Sequence, residues 1–256
     1  AKAHNSIAEF WLDFGITRVT CKRSVMVRAY GSSHHSCFEY TRDWYQTQSK
    51  KNGKELPLGN TWTPCLLLSK IIWKAMEETI SGAMTAMDWF KEVAQVCCDN
   101  DIPIRWTTPV GFPVKQRYTK WNSKVVKTRI GDKVRQHNLR VETDKLDFRK
   151  MTNSLSPNFV HSLDSAAMFA TVNIAKTHGV SSFAMVHDSF ACPAQDAAVL
   201  AGSIRAAYAS MFESDLLAEF RDEVQAYLPA GVTLPDLPEY GDLNVNLLLE
   251  SSYFFN

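Results

Sequence analysis

Arg18, Lys22, Met26 and Tyr30 recur at steps of four residues, a spacing that lines them along one helical face. Two cations, a flexible apolar side chain and a phenol could together meet a nucleotide, the charges on its phosphates and the ring near its base. The same spacing also suits a solvated basic stripe. A second candidate lies in AMVHDSF at 184–190, where an apolar run ends abruptly in His187, Asp188 and Ser189. A carboxylate displayed there could serve a hard cation such as Mg²⁺, which prefers oxygen ligands, or it could be an ordinary polar turn. A third is the segment 115–150, which carries 12 Lys/Arg against 4 Asp/Glu and includes Tyr118 and Trp121. Such a stripe suits nucleic-acid phosphates, although a solvated hairpin has the same composition. Residues 188–256 have the opposite balance, 2 Lys/Arg against 11 Asp/Glu. His34, His35 and Cys37 crowd into four positions and lack the spacing of a structural zinc site.

The elements that must position these groups follow from pattern. Residues 7–30 read as one helix ended by Gly31. Residues 32–60 read as a polar, irregular loop around KKNGKELPLGN. From Thr61 to Asn100 the periodicity predicts two helices broken near Ser81-Gly82. Residues 103–150 are rich in β-branched and aromatic side chains, with Gly131-Asp132 as a turn, and predict extended chain and a long basic hairpin. Helical periodicity returns over 158–178, Ser181–Val186 reads as a short buried strand, and 196–227 is helical again.

The 256 residues, 45% hydrophobic and 21% charged, are enough for a sizeable core. No apolar run reaches the length of a membrane span, so no membrane partner is expected. The six cysteines show no CxxC pair and no disulfide spacing, which fits a reducing compartment.

Read together, GITRVTCKRSVMVRAYG at 15–31, RWTTPVGFPV at 105–114, SPNFVHSLDS at 156–165, VHDSF at 186–190 and LNVNLLLESSYFF near the end resemble, in that order, the single-subunit DNA-directed RNA polymerases of bacteriophages and mitochondria. The resemblance spans essentially the whole chain, and KRSVMVRAYG is closest to the T-seven-type phage enzymes. It implies an α+β, mainly helical fold: the fingers of a right-hand polymerase, part of its palm with short antiparallel strands, and a basic β-hairpin. Residues 1–161 would be fingers, with the promoter-reading hairpin at 115–150. Residues 162–256 would complete the palm and end in an aromatic foot, Tyr253 to Asn256.

The resemblance also implies roles. Arg18, Lys22 and Arg23 would contact the triphosphate, with Lys22 the candidate proton donor to pyrophosphate. Tyr30 and Gly31 would lie beside the active-site base pair, and Tyr30 would help select ribonucleotides. His161 would approach the ribose, and His187 would support Asp188. Asp188 would hold Mg²⁺ in a two-ion site. Arg135, Gln136, Asn138 and Arg140 would be the DNA-reading candidates of the hairpin. The partners implied are a DNA template and promoter, the RNA product, nucleoside triphosphates, and an N-terminal polymerase subunit or segment supplying the second catalytic carboxylate. Asp13 lacks the setting for that role, so the chain by itself is expected to be inactive, whether as a subunit of a split enzyme or as part of a longer polypeptide. The cytoplasm of an infected bacterium, or alternatively a mitochondrion, is the compartment implied. A family A-like DNA polymerase is the nearest competing reading, but its metal motif reads His-Asp-Glu where this chain has His-Asp-Ser. A non-catalytic DNA-binding or regulatory subunit is another, against which the presence of Lys22, Tyr30, His161 and Asp188 argues.

Overall fold

The structure, a computed structural model, describes residues 2–28, 30–56 and 60–254, with side chains from Ser6 onward. The chain divides into two compact units, residues 1–88 and 89–256. The sequence-based boundary between 161 and 162 falls inside a continuous helix of the second unit.

The first unit is helical: α1 (Lys2–Phe14), α2 (Arg18–Arg28), α3 (His34–Asn52), α4 (Trp62–Thr79) and the start of α5 (Ser81–Asp99). The single helix expected over 7–30 is two. Gly15, at φ +92°, breaks it, and Thr17 opens α2 by donating its N–H to Thr20 Oγ1 at 3.0 Å. The loop expected over 32–60 is instead largely α3. Its N-cap, Ser33, accepts from Ser36 N at 3.2 Å, and Gly53 closes it in the left-handed region with its N–H on Ser49 O. KKNG is therefore a helix end, with Lys50 and Lys51 in the last turn where cations are favoured. Phe38, Thr41 and Tyr45 are buried from α3. They pack toward a core built on Trp11, Phe14, Leu68 and Ile72. Trp11 Nε1 donates to Pro64 O at 3.1 Å, and Leu56 N donates to the Tyr45 hydroxyl at 2.8 Å. The break between α4 and α5 lies at Ile80, as the pattern near Ser81-Gly82 predicts.

The second unit begins within α5 and contains β1 (Ile104–Thr107), β2 (Pro113–Gln116), β3 (Thr119–Ile130), β4 (Lys133–Leu146), α6 (Phe148–Thr177), β5 (Ala184–Val186), β6 (Ser189–Ala191), α7 (Ala197–Glu213), α8 (Leu216–Gln225) and α9 (Leu247–Glu250). Its strands form three separate antiparallel pairs, β1-β2, β3-β4 and β5-β6. The core is an aromatic cluster in which Phe159 of α6 meets Phe90 at 4.9 Å and Phe220 at 5.1 Å, with Trp106 at 6.1 Å. α6 starts ten residues before the expected position because Asp147 caps it, accepting from Lys150 N at 3.2 Å. Pro157 sits within the helix rather than opening it. The buried strand expected at 181–186 is also corrected. β5 is three residues long, and Val186 is 64% exposed, because among the described residues no third strand covers the β5-β6 pair.

Candidate nucleotide-binding and catalytic sites

In α2 the buried residues are Thr20 and Ser24, and the opposite side carries Arg18, Lys22 and Met26, all exposed. The expected stripe is therefore real as a surface. Arg23 lies off it: its guanidinium sits 4.1 Å from the Tyr40 ring centroid and 3.9 Å from Asp43 Oδ2, so it is turned toward α3. A groove of about 480 Å³ runs between these helices, lined in part by Lys22, Arg23, Met26, Tyr40 and Trp44.

The end of α2 is locked in a defined geometry. Gly31 N donates to Arg28 O at 3.0 Å and Ser32 N to Val27 O at 3.3 Å, the paired bonds of a Schellman cap. Gly31 takes φ +79° there, a conformation glycine adopts without steric cost. Arg28 adds a bond from Nη1 to Ser32 O at 3.1 Å and lies 4.1 Å over Trp73. Tyr30, 40% exposed, thus projects from a fixed corner.

In the second unit, Val186 pairs with Ser189, leaving His187 and Asp188 as a two-residue turn. His187 has φ +53°, a left-handed position uncommon for a residue with a Cβ but several-fold enriched in His. Asp188 is exposed at the tip. His161 and Asp164, one turn apart on α6, share a helical face. Partial desolvation raises the Asp164 pKa; the His161 side chain opposes that shift and the Asp188 charge adds to it. Tyr208 of α7 is raised by desolvation and then by Asp164 and Asp188. These four side chains therefore form one electrostatic neighbourhood. Motif and spacing in the sequence single out neither Asp164 nor Tyr208. For Asp164 the signal was present, since SLDS places a carboxylate three residues after His161.

The C-terminal segment reaches the same helix. Arg205 Nε donates to Ser251 O at 3.0 Å, and Phe254 meets the Tyr208 ring edge-on at 5.3 Å. Phe255 and Asn256, the last residues of the expected foot, lie outside the described residues. Asp13 is held by Lys54 at 2.9 Å. Among the described residues no group of three His, Cys, Asp or Glu side chains is arranged to hold a metal ion, and no helix is long and apolar enough to cross a membrane.

In the hairpin, Gln136 pairs with Lys127, Asn138 with Val125 and Arg140 with Ser123, whereas Arg135 pairs with Thr128. Alternate residues point to opposite faces, so three of the four DNA-reading candidates share a face and Arg135 does not. The base is anchored by buried Thr119 and Leu146 and by Thr119 Oγ1 donating to Glu142 at 2.6 Å.

Residues 1–233 match the family model of DNA-dependent RNA polymerase. The chain is 33% identical over 241 residues to the mitochondrial DNA-directed RNA polymerase 1 of Arabidopsis thaliana, covering 94% of this chain and 24% of that protein. It is 32% identical over 272 residues to the T7 RNA polymerase of Escherichia phage T7, covering 98% of this chain and 30% of the relative. It is also 30% identical to DNA-directed RNA polymerase 2A of Nicotiana tabacum, over 94% of this chain and 70% of that protein. The chain thus spans 24% and 30% of the length of the first two.

Proposed function

The chain belongs to the DNA-dependent RNA polymerase family, and on that premise we propose that it carries the nucleotide-binding helix and one catalytic carboxylate of a polymerase performing template-directed ribonucleotidyl transfer. The observation that carries this reading is Asp188 displayed at the tip of a short hairpin, in electrostatic reach of Asp164 on α6. The Asp188 charge adds to the burial that already disfavours the ionised Asp164, a setting that favours a nearby cation.

Asp188 offers hard oxygen donors of the kind Mg²⁺ takes, and the other carboxylate needed for a two-ion site comes from a polymerase segment outside this chain. When bound, Mg²⁺ would activate the 3′-hydroxyl and neutralise the triphosphate. On the first unit, Arg18 and Lys22 bind the phosphates as exposed cations on one face, and Lys22 Nζ gives a proton to the departing pyrophosphate oxygen. Arg23, engaged by Asp43 and Tyr40, orients α2 on α3 rather than meeting the phosphates first. Tyr30, on the first unit, discriminates the sugar, where a 2′-hydroxyl offers both a donor and an acceptor, and His161, on the second, stands one turn from Asp164 on α6. Residues 1–161 act as fingers and 162–256 as palm, with DNA, RNA and nucleoside triphosphates as partners. Relatives in a phage and in plant organelles support either a bacterial cytoplasm or an organelle as the setting.

The test is Asp188→Asn in the whole polymerase that carries this chain. Nucleotide addition should fall by several orders of magnitude while DNA binding is retained; near-normal elongation would remove Asp188 from the chemistry. Native mass spectrometry of the active material identifies the source of the missing carboxylate.

A further inference from the structure

Both ends of the connection between α2 and α3 meet one side chain of α4. Arg28, the last residue of α2, places its guanidinium 4.1 Å from the Trp73 ring centroid. His34, the first residue of α3, meets the same indole edge-on at 5.5 Å and 89°. Trp73 is itself held, with Nε1 donating to Glu77 Oε1 at 2.6 Å. The connection is therefore tied at each end to an indole whose orientation is set by its own helix.

Arg28 also brackets Tyr30. Its carbonyl accepts from Gly31 N at 3.0 Å, and its Nη1 donates to Ser32 O at 3.1 Å. Ser32 is thus gripped at both backbone groups, since its N–H donates to Val27 O at 3.3 Å. The guanidinium is half-buried, and its Nε meets no acceptor among the described residues. The indole face then stabilises a cation that has lost part of its water. A planar guanidinium can stack flat on a ring and donate along its edge at the same time, which the point charge of a lysine cannot do.

We propose that Arg28 is a positioning residue for sugar selection: clamped on Trp73, it holds the chain on both sides of Tyr30 and so fixes where the phenol meets the ribose. This rests on the polymerase reading above, in which Tyr30 discriminates the sugar. Lys22 lies in the middle of α2, where the helix's own hydrogen bonds hold the backbone, so phosphate binding does not depend on the clamp.

The experiment measures kcat/KM for ribo- and deoxyribonucleoside triphosphates with the whole polymerase, comparing Arg28→Leu, Arg28→Lys, Trp73→Leu, Trp73→Phe and Tyr30→Phe. Arg28→Leu and Trp73→Leu should each lower the ribose preference by on the order of 3- to 30-fold. Arg28→Lys should lose part of it, and Trp73→Phe, which keeps an aromatic face, should retain most of it. Where a leucine variant does not fold, Arg28→Lys reads the same effect at smaller size. Added to Tyr30→Phe, Arg28→Leu should lower the preference no further, because both act through one contact. Inhibition by inorganic triphosphate, which engages Arg18 and Lys22, should be unaltered throughout. An unchanged preference in both Arg28 variants, an additive loss in the double variant, or weakened triphosphate inhibition overturns the assignment. If Tyr30→Phe itself leaves the preference at the parent's level, the reading of Tyr30 falls and the proposal with it. A loss in Tyr30→Phe with none in the Arg28 variants defeats the clamp alone.

Discussion

Trp106 and Ser162 are joined by a 3.0 Å hydrogen bond from the indole Nε1 to the Ser162 hydroxyl. Trp106 is 1% exposed, and Ser162 immediately follows His161 on α6. Ser162 in turn donates to Phe159 O at 2.7 Å. The rotation of α6 that presents His161 and Asp164 is thereby fixed to a strand of the core.

Ser162→Ala should leave the buried indole N–H without a partner, at a cost of about 1–3 kcal/mol. Urea unfolding should show a lower midpoint with an unchanged slope. An unaltered midpoint would mean that the bond does not hold the helix.

Gly31→Ala should destabilise the first unit by about 1–2 kcal/mol, because a Cβ is penalised in the left-handed region. The substitution should also raise the KM for nucleoside triphosphate by moving the Tyr30 corner. Tyr30→Phe, which keeps the ring and the backbone, should instead relax discrimination against deoxyribonucleotides with little change in stability. Sugar selectivity unchanged in Tyr30→Phe would separate the tyrosine from that role.

The sign of the Asp164 shift predicts a pH effect. Burial holds its proton to higher pH in the folded chain than in the unfolded one, where the value is near 3.8. Its contribution is therefore complete at acid pH and is lost as pH rises through the folded value. Asp164→Asn should flatten the decline in stability over that window. A profile identical to the parent's would show that the carboxyl titrates normally.

Burial also pushes the thiols of Cys65 and Cys97 up to about 12, with Arg42 opposing the first shift and Cys98 reinforcing the second. Both should resist alkylation at neutral pH until the chain unfolds, since the thiolate is the reactive form. Mass mapping of iodoacetamide adducts at increasing denaturant reads this directly, and fast labelling of either in the native protein would contradict it.

Some of this was legible in the residues alone. The four-residue spacing of Arg18, Lys22 and Met26 marks an exposed face because Thr20 and Ser24 fill the positions between, and the hairpin turn at Gly131-Asp132 is carried by local chemistry. α3 was not legible as a helix because its apolar stripe is narrow and KKNG resembles a loop, although Ser33 and Gly53 supply both caps. The exposure of β5 could not be read from AMV, since an apolar run looks the same whether or not a neighbouring strand covers it. The resemblance places Arg23 beside the phosphate set, and no local pattern shows its partners Asp43 and Tyr40 on α3. The grouping of Asp164, Asp188 and Tyr208 depends on how three distant segments pack, which no local pattern encodes.

The hairpin has one further consequence, an evolutionary one. Thr119 and Leu146 fix the orientation of its base, while side chains beyond alternate with a period of two. One residue gained by each strand just past that base turns the whole ribbon over, so that each surface takes the place of the other. Two in-frame codons thus exchange the exposed side chains of the ribbon's two surfaces at once while sparing the fold at its base.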